Sequence, residues 1–401
     1  MFFTIFTTIA LVLAFFYAGI LLWYVYGWVK TPEFKLLQNF EPQTTISIIV
    51  PARNEAANIV ACLQGLLAQN YPKHLFEIVL IDDQSEDETV NLATAFLTAN
   101  KQLQHPDNQD GRVQIIKIPA DLAKPSGNQS SGGKKNALTL GIAAAKYHLI
   151  VTTDADCQHP PTWLQYIAGF YQQYQPQMIA APVVFKPQKG LFMAFQTLDF
   201  IGLMLTTAAS LKFNIGNMCN GANLAYPRHL FNAVGGFEGQ HHLASGDDML
   251  LMEKIRQQQP KAKLLFLKAK QATVQTNPTP NLKQFFWQRV RWASKTTAYR
   301  NLRIQVILTL VWLFNFSIVA GMFALLTVNR HVWMPVLALQ FALKLLADTV
   351  FLYTGAAYFN RKKLLWQFLP AQIMHIFYIV VVGVAANFKS LPFVWKGRKI
   401  R

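Results

Sequence analysis

The chain is predicted to adopt an α/β fold, a mostly parallel sheet with helices on both faces, joined to transmembrane helices at its two ends. Three observations predict it. Short β-branched runs alternate with helical patterns from about residue 44. Acidic side chains stand where those runs end, and long apolar stretches open and close the chain. The central run is Leu149-Ile150-Val151-Thr152-Thr153-Asp154-Ala155-Asp156-Cys157. Its apolar part reads as a buried strand. Asp154 and Asp156 follow at i and i+2, so an extended backbone would point both carboxylates to one side, where they could share a cation. Taken alone, the pair also suits a solvated turn, where aspartate is common.

Of 401 residues, 52% are hydrophobic, more than an ordinary soluble protein carries. The formal net charge is +17, yet no zinc-finger, RRM or helix-turn-helix pattern accompanies it. Nucleic acid is therefore set aside as a partner, and the charge is assigned to a membrane surface and a diphosphate. Cys62, Cys157 and Cys219 are widely spaced and form no C-x-x-C. They support neither a disulfide framework nor a zinc site, and fit a reducing, cytoplasmic domain.

Residues 2–28 contain no charge and, at about 1.5 Å per residue, can cross a roughly 30 Å hydrocarbon core. A basic start and a small-residue cleavage site are missing, so an uncleaved transmembrane helix is expected rather than a secretory signal. Trp23, Tyr24, Tyr26 and Trp28 before Lys30 read as an interfacial belt with its positive residue inside. Residues 46–50 form the first predicted strand, closed by Pro51, with Asn54 placed to cap a helix over 56–67. Residues 76–81 and 113–118 are the next strands, the former running into Asp82-Asp83-Gln84-Ser85. The polar stretches 101–111 and 124–133 read as surface loops. Gly132-Gly133-Lys134 then opens a helix whose N-terminus suits an anion, though solvated lysines on a flexible loop would look the same.

Residues 191–211 carry only Asp199 as a charge and are long enough to span. A crossing there would put Asp154 and Asp247 on opposite sides of the membrane, so a helix lying in the interface is expected instead. Asp247 and Asp248 begin a helical pattern, a position that plain N-terminal capping would also explain. His241-His242 lack a third spaced ligand and read as loop residues. In residues 284–292, Gln288, Arg291 and Trp292 fall on one helical face, while Phe286, Val290 and Ala293 line another. Three apolar stretches follow at 305–328, 332–358 and 364–388. The basic tail is expected inside, which three full crossings would prevent. Gln367, Pro370, Gln372 and His375 interrupt the last stretch, so a re-entrant or interfacial segment there would restore the parity.

Val50-Pro51-Ala52-Arg53-Asn54-Glu55, Ile81-Asp82-Asp83, Lys134 before Asn136-Ala137-Leu138, Asp154-Ala155-Asp156, Gly246-Asp247-Asp248 and Gln288-x-x-Arg291-Trp292 occur in that order. The joint pattern resembles the membrane-integrated family-2 glycosyltransferases of GT-A fold, the branch of ceramide glucosyltransferase-like enzymes and polysaccharide synthases. It departs where members often carry Glu-Asp and this chain has Asp247-Asp248. The resemblance implies a cytosolic GT-A domain over 44–300 with interfacial helices, a transmembrane helix over 1–30, a transmembrane region over 305–390 and a basic cytosolic tail over 391–401. It implies a multi-pass membrane protein that takes a nucleotide-sugar donor, expected to be a UDP-sugar, and a lipid or glycan acceptor.

Residue by residue, it makes Glu55 and Asp83 contacts of the nucleotide. Asp156, helped by Asp154, becomes the ligand of Mg²⁺ or Mn²⁺ on the diphosphate. Lys134 and Arg291 add positive charge there, and Trp292 and Gln288 stand at the acceptor side. Asp248, beside Asp247, becomes the general base of an inverting transfer. Three activities remain open at this point: single addition to a membrane lipid, processive polysaccharide synthesis, and a non-catalytic nucleotide-binding subunit. The motifs leave the sugar, the acceptor and the oligomeric state unspecified.

Overall fold

The computed structural model describes residues 2–100, 112–119, 133–215, 218–239, 246–294, 301–327, 330–387, 393–395 and 398–400. The predicted loop 101–111, all of 124–133 but Gly133, and the pair His241-His242 lie outside the described residues. In chain order the first elements are α1 (Phe2–Lys30), β1 (Ile46–Ala52), α2 (Ile59–Leu67), β2 (Phe76–Asp82), α3 (Thr89–Ala99), β3 (Val113–Lys117), α4 (Lys134–Ala144) and β4 (Leu149–Thr152). There follow α5 (Trp163–Tyr174), β5 (Met178–Ala180), β6 (Val183–Phe185), α6 (Leu191–Lys212), β7 (Leu224–Pro227), α7 (Arg228–Ala233), α8 (Asp247–Gln258), β8 (Leu264–Phe266) and β9 (Val274–Thr276). Last come α9 (Leu282–Ala293), α10 (Leu302–Thr327), α11 (Arg330–Tyr358), α12 (Phe368–Asn387) and the hairpin of β10 (Phe393–Trp395) with β11 (Arg398–Ile400).

These elements pack into two units: a helical one of Met1–Thr31, Pro187–Gly216 and Pro278–Leu391, and an α/β one of Pro32–Lys186, Asn217–Asn277 and Pro392–Arg401. The α/β unit is built on a seven-stranded sheet of order β3-β2-β1-β4-β7-β5-β8. Strands β1 to β4 are parallel, β7 is antiparallel to β4 and β5, and β5 is parallel to β8. The expected mostly parallel sheet is thus present, with one reversed strand inside it. A separate parallel pair joins β6 to β9. Ile46, Ile48, Ile49 and Val50 of β1 are all fully buried, as a strand covered on both faces requires.

Helix α4 lies against β1 and β2 at Gly141, where a Cβ would come 2.5 Å from Ile81 Cδ1 and 2.7 Å from Ile49 Cγ2. This close approach explains a glycine inside a helix, where it costs about 1 kcal/mol relative to alanine. Helix α2 begins at Ile59 after Asn58, not after Asn54 as predicted. Asn54 has φ +52° and uses its polar groups elsewhere: its N–H donates to Ser85 Oγ (3.0 Å) and its side-chain oxygen accepts from the Glu86 N–H (2.9 Å). A residue tied to the neighbouring strand-end loop is not available to cap a helix.

In the helical unit, helices within α1, α6, α10, α11 and the stretch Lys362–Asn387 are long and apolar enough to cross a membrane. Two sets of buried polar groups there satisfy one another, as a medium without water favours. Lys344, fully buried, donates to Asp348 (2.8 Å) and to Tyr17 (2.9 Å), and Tyr17 donates to Asp348 (2.6 Å). Gln340 donates to the Ala10 carbonyl (3.1 Å) and to Ser317 Oγ (2.8 Å). The interruption expected over 364–388 is confined to a 3₁₀ turn at Lys362–Gln367, and α12 continues unbroken. Pro370 falls in its first turn, where an N–H lacks an intrahelical partner anyway.

Of the α9 face expected to carry Phe286, Val290 and Ala293, only Val290 is buried. Phe285, Arg289 and Val290 are its buried residues, while Phe286 and Ala293 are half-exposed. Arg289 pairs with Asp199 of α6 at 2.7 Å, and its guanidinium lies 4.8 Å from the Phe285 ring centre and 4.4 Å from that of Trp292. Aromatic faces solvate the planar cation, which lets a charge go where the spacing pattern expected apolar side chains.

Gly141→Val should lower stability by about 1–3 kcal/mol, because Ile49 is held by its strand and cannot yield space; a thermal midpoint of the detergent-solubilised protein at or above wild type would contradict the close approach. Arg289→Ala should cost about 3–5 kcal/mol by stranding Asp199, whereas Arg289→Met with Asp199→Asn should recover most of it. Equal unfolding midpoints for the single and double variants would show that the pair is not what holds α9.

Candidate active site

The carboxyl edge of the parallel strands gathers most of the predicted residues of the α/β unit. Strand β4 stops at Thr152, whose hydroxyl donates to the Gly221 carbonyl at 2.8 Å. Thr153 Oγ1 lies 2.7 Å from His159 Nε2. The chain then turns, with the Cys157 N–H bonded to the Asp154 carbonyl at 3.1 Å. The extended geometry that would aim Asp154 and Asp156 the same way has therefore already ended. Asp154 Oδ1 meets Lys134 Nζ at 2.6 Å, and Asp156 Oδ2 accepts from the Thr276 hydroxyl at 3.1 Å. The two carboxylates share one turn but take different partners.

Lys134 is the first residue of α4, after Gly133 at φ +103°. Its ammonium also lies 3.7 Å from Asp247 Oδ2. Burial alone would lower its pKa, but the carboxylates of Asp154, Asp247 and Asp248 outweigh that and hold it above the usual lysine range. The lysine is charged at any physiological pH.

Asp247 and Asp248 open α8 after Gly246 at φ +88°. Gly246 takes the cap position, so Asp247 is left to face Lys134, and both carboxylates are favoured by the helix dipole. Asp248 Oδ2 accepts the Gly221 N–H at 2.9 Å and Oδ1 accepts the Met249 N–H at 2.8 Å. A Cβ on Gly221 would stand 3.2 Å from Lys134 Nζ and 3.4 Å from Asp247 Oδ2. The absence of a side chain there lets the loop after α6 come down onto the charged cluster.

Glu55 and Asp83, both buried, follow β1 and β2. The Glu55 N–H donates to Thr89 Oγ1 (2.7 Å), and Glu55 Oε2 accepts from Asn58 Nδ2 (2.8 Å). Arg53, 5% exposed, donates to the Asp83 and Gln84 carbonyls at 2.7 and 2.5 Å and so binds the two strand-end loops together. Arg53 stands in the first quoted motif without an assigned role, and Gly221 and Thr276 are not among the residues that the pattern singled out. An arginine directly after an apolar strand is a usable signal for the first; the other two carry no local mark. Gln288, Arg291 and Trp292 lie on α9 of the helical unit, with the Trp292 ring 6.3 Å from that of Phe200.

The donor chemistry fits a hard divalent cation. Asp154 and Asp156 offer only carboxylate oxygens, which suit Mg²⁺ or Mn²⁺. Burial pushes the thiols of Cys62 and Cys157 up, so both stay neutral and make poor ligands. Among the described residues no group of three or more His, Cys, Asp or Glu side chains is placed to enclose a metal. A cation here would draw its remaining ligands from a bound phosphate group and water.

Residues 47–235 match the model of glycosyl transferase family 2. Glycosyltransferase AglE of Haloferax volcanii is 26% identical over 206 residues, 51% of this chain and 59% of AglE. The undecaprenyl-phosphate 4-deoxy-4-formamido-L-arabinose transferase of Shewanella sediminis is 31% identical over 118 residues, 29% of this chain and 30% of that enzyme. The matched stretch thus spans less than two thirds of either relative. Among solved structures, the mannosyltransferase PcManGT of Pyrobaculum calidifontis, in complex with GDP-Man and Mn²⁺, has a TM-score of 0.57 at 18% identity over 96% of this chain and 100% of that one, a likeness of fold. Residues 47–235 thus carry the features of a glycosyl transferase family 2 domain, and the likeness to PcManGT is one of GT-A fold.

Proposed function

We propose that the protein transfers one sugar, with inversion, from a nucleotide donor to a membrane lipid. The observation that carries this reading is the meeting of Asp154, Lys134, Asp247 and Asp248 at the carboxyl edge of β4. That edge is where open α/β sheets take their ligands. Five helices of membrane-crossing length and apolarity among the described residues favour a lipid acceptor, as does a relative named as an undecaprenyl-phosphate sugar transferase. A UDP-sugar follows from the motif resemblance, with the α/β unit on the cytosolic side of a multi-pass protein.

In this reading Glu55 and Asp83 accept hydrogen bonds from the base and ribose of the donor, a task that suits acceptor-only carboxylate oxygens. Asp156 and Asp154 would hold Mg²⁺ or Mn²⁺, which when bound neutralises the charge that grows on the departing diphosphate. Lys134 keeps a fixed positive charge beside Asp154 and prevents the neighbouring carboxylates from repelling an anionic donor. Asp248 takes the proton of the acceptor hydroxyl. As that oxygen bonds to the anomeric carbon, the bond from this carbon to the diphosphate oxygen breaks and the nucleoside diphosphate leaves. Backbone N–H groups of Gly221 and Met249 donate to the two oxygens of Asp248 and hold the carboxylate in place for the incoming hydroxyl. The roles of Gln288, Arg291 and Trp292 rest on the resemblance of their motif.

Asp248→Asn should reduce turnover by about 10²- to 10⁴-fold while donor affinity stays within about threefold; near-normal turnover would remove Asp248 as the base. Asp156→Ala should weaken donor binding and shift its dependence on added Mg²⁺ or Mn²⁺, and an unchanged metal titration would take Asp156 off the ligand set. The reading as a whole is tested by incubating membranes that hold the protein with labelled UDP- and GDP-sugars. Lipid-extractable label is expected. Label in insoluble polymer instead would select a processive synthase, and label in neither fraction would overturn the lipid acceptor.

A further inference from the structure

At the amino ends of β1 and β4, opposite the acidic edge, the α/β unit holds a cavity of about 400 Å³ lined by Lys146, His148, Arg228 and His229 with Thr45 and Asn232. Thr45 precedes β1, residues 146–148 lead into β4, and Arg228 follows β7. Because β7 runs antiparallel to β4, Pro227 pairs with Leu149, and segments some eighty residues apart deliver their basic side chains to one place. The Arg228 N–H donates to the His148 carbonyl at 2.9 Å, and its guanidinium donates to the Ala145 carbonyl. The His148 and His229 rings stack at 5.4 Å, and His148 Nε2 lies 2.9 Å from the Tyr171 hydroxyl. No carboxylate lines this cavity. The acidic Glu77 is turned to the Lys146 N–H (2.6 Å) and the Ser47 hydroxyl.

Lys146 and Arg228 bring positive charge to this lining, and the imidazoles of His148 and His229 add hydrogen-bonding nitrogens, a set that suits an anion. Burial, then the nearby His229 and Arg228, hold the His148 imidazole below its usual range, a cost that an anion would remove. From His148 to Asp154 is about 20 Å along an extended chain, so an occupant here is separate from a donor at the carboxyl edge. We propose that this cavity is a second ligand site that binds a phosphate-bearing anion, with Lys146 and Arg228 as its charged contacts and His229 beside them. Arg228, fixed by its bond to Ala145, presents the remainder of its planar fork, the geometry that suits phosphate oxygens. The phosphate could be a free ion or the headgroup of an anionic lipid, since the chemistry of recognition is the same.

The test is calorimetric titration of inorganic phosphate into the full chain in phosphatidylcholine nanodiscs, at constant ionic strength made up with chloride. Saturable binding is expected, weakened at least tenfold by Lys146→Gln with His229→Gln. Both side chains are exposed, so that double variant should keep its fold and its glycosyl transfer without phosphate. Repeating the titration in nanodiscs containing phosphatidic acid separates the sources: loss of the phosphate heat identifies a lipid occupant, and its persistence a soluble one. No saturable heat in the wild type, or equal affinity in the double variant, would overturn the site.

Discussion

A single ammonium group organises the acidic edge of the sheet. Lys134 lies within ion-pair distance of Asp154 and Asp247, and the field of Asp248 reaches it as well. Three carboxylates drawn together from two loops would repel one another and each would lose part of its hydration. A cation about 4 Å away is worth about 4 kcal/mol at an effective dielectric near 20, enough to make their approach tolerable. The lysine can stand there because α4 begins at that residue, after a glycine in a conformation that only glycine adopts readily.

The reversed strand β7 decides what meets that cluster. A wholly parallel sheet would carry the chain away from the carboxyl edge after each strand. By entering between β4 and β5 in the opposite sense, β7 begins at that edge, and the turn before it lays the Gly221 N–H on Asp248 and its carbonyl on Thr152. The same reversal ends β7 at the far edge, where Arg228 meets His148. One change of strand direction thus shapes both edges.

The helical unit follows a different rule. Its buried polar groups gain most where they find partners among the helices rather than water. Tyr17, Lys344 and Asp348 close such a set from α1 and α11, and Asp199 with Arg289 joins α6 to α9.

Much was legible in the residues alone. The β-branched runs marked β1, β2 and β4, because a strand buried on both faces has to be apolar throughout, and a shorter run marked the half-exposed edge strand β3. Aspartates at their ends marked the edge that carries the candidate site, and uncharged stretches marked the long helices. Helix starts were less legible: Asn54 looks like a cap, yet tertiary hydrogen bonds to the next loop took its side chain. So was the inward face of α9, since spacing does not reveal that two aromatic rings and a distant aspartate can receive Arg289. Local pattern determined which segments are strands and helices and which ends are acidic, because these depend on neighbours within a few residues. The partners of Asp154, Asp156 and Asp248, namely Lys134, Thr276 and Gly221, were decided only when strands distant in sequence took their order in the sheet.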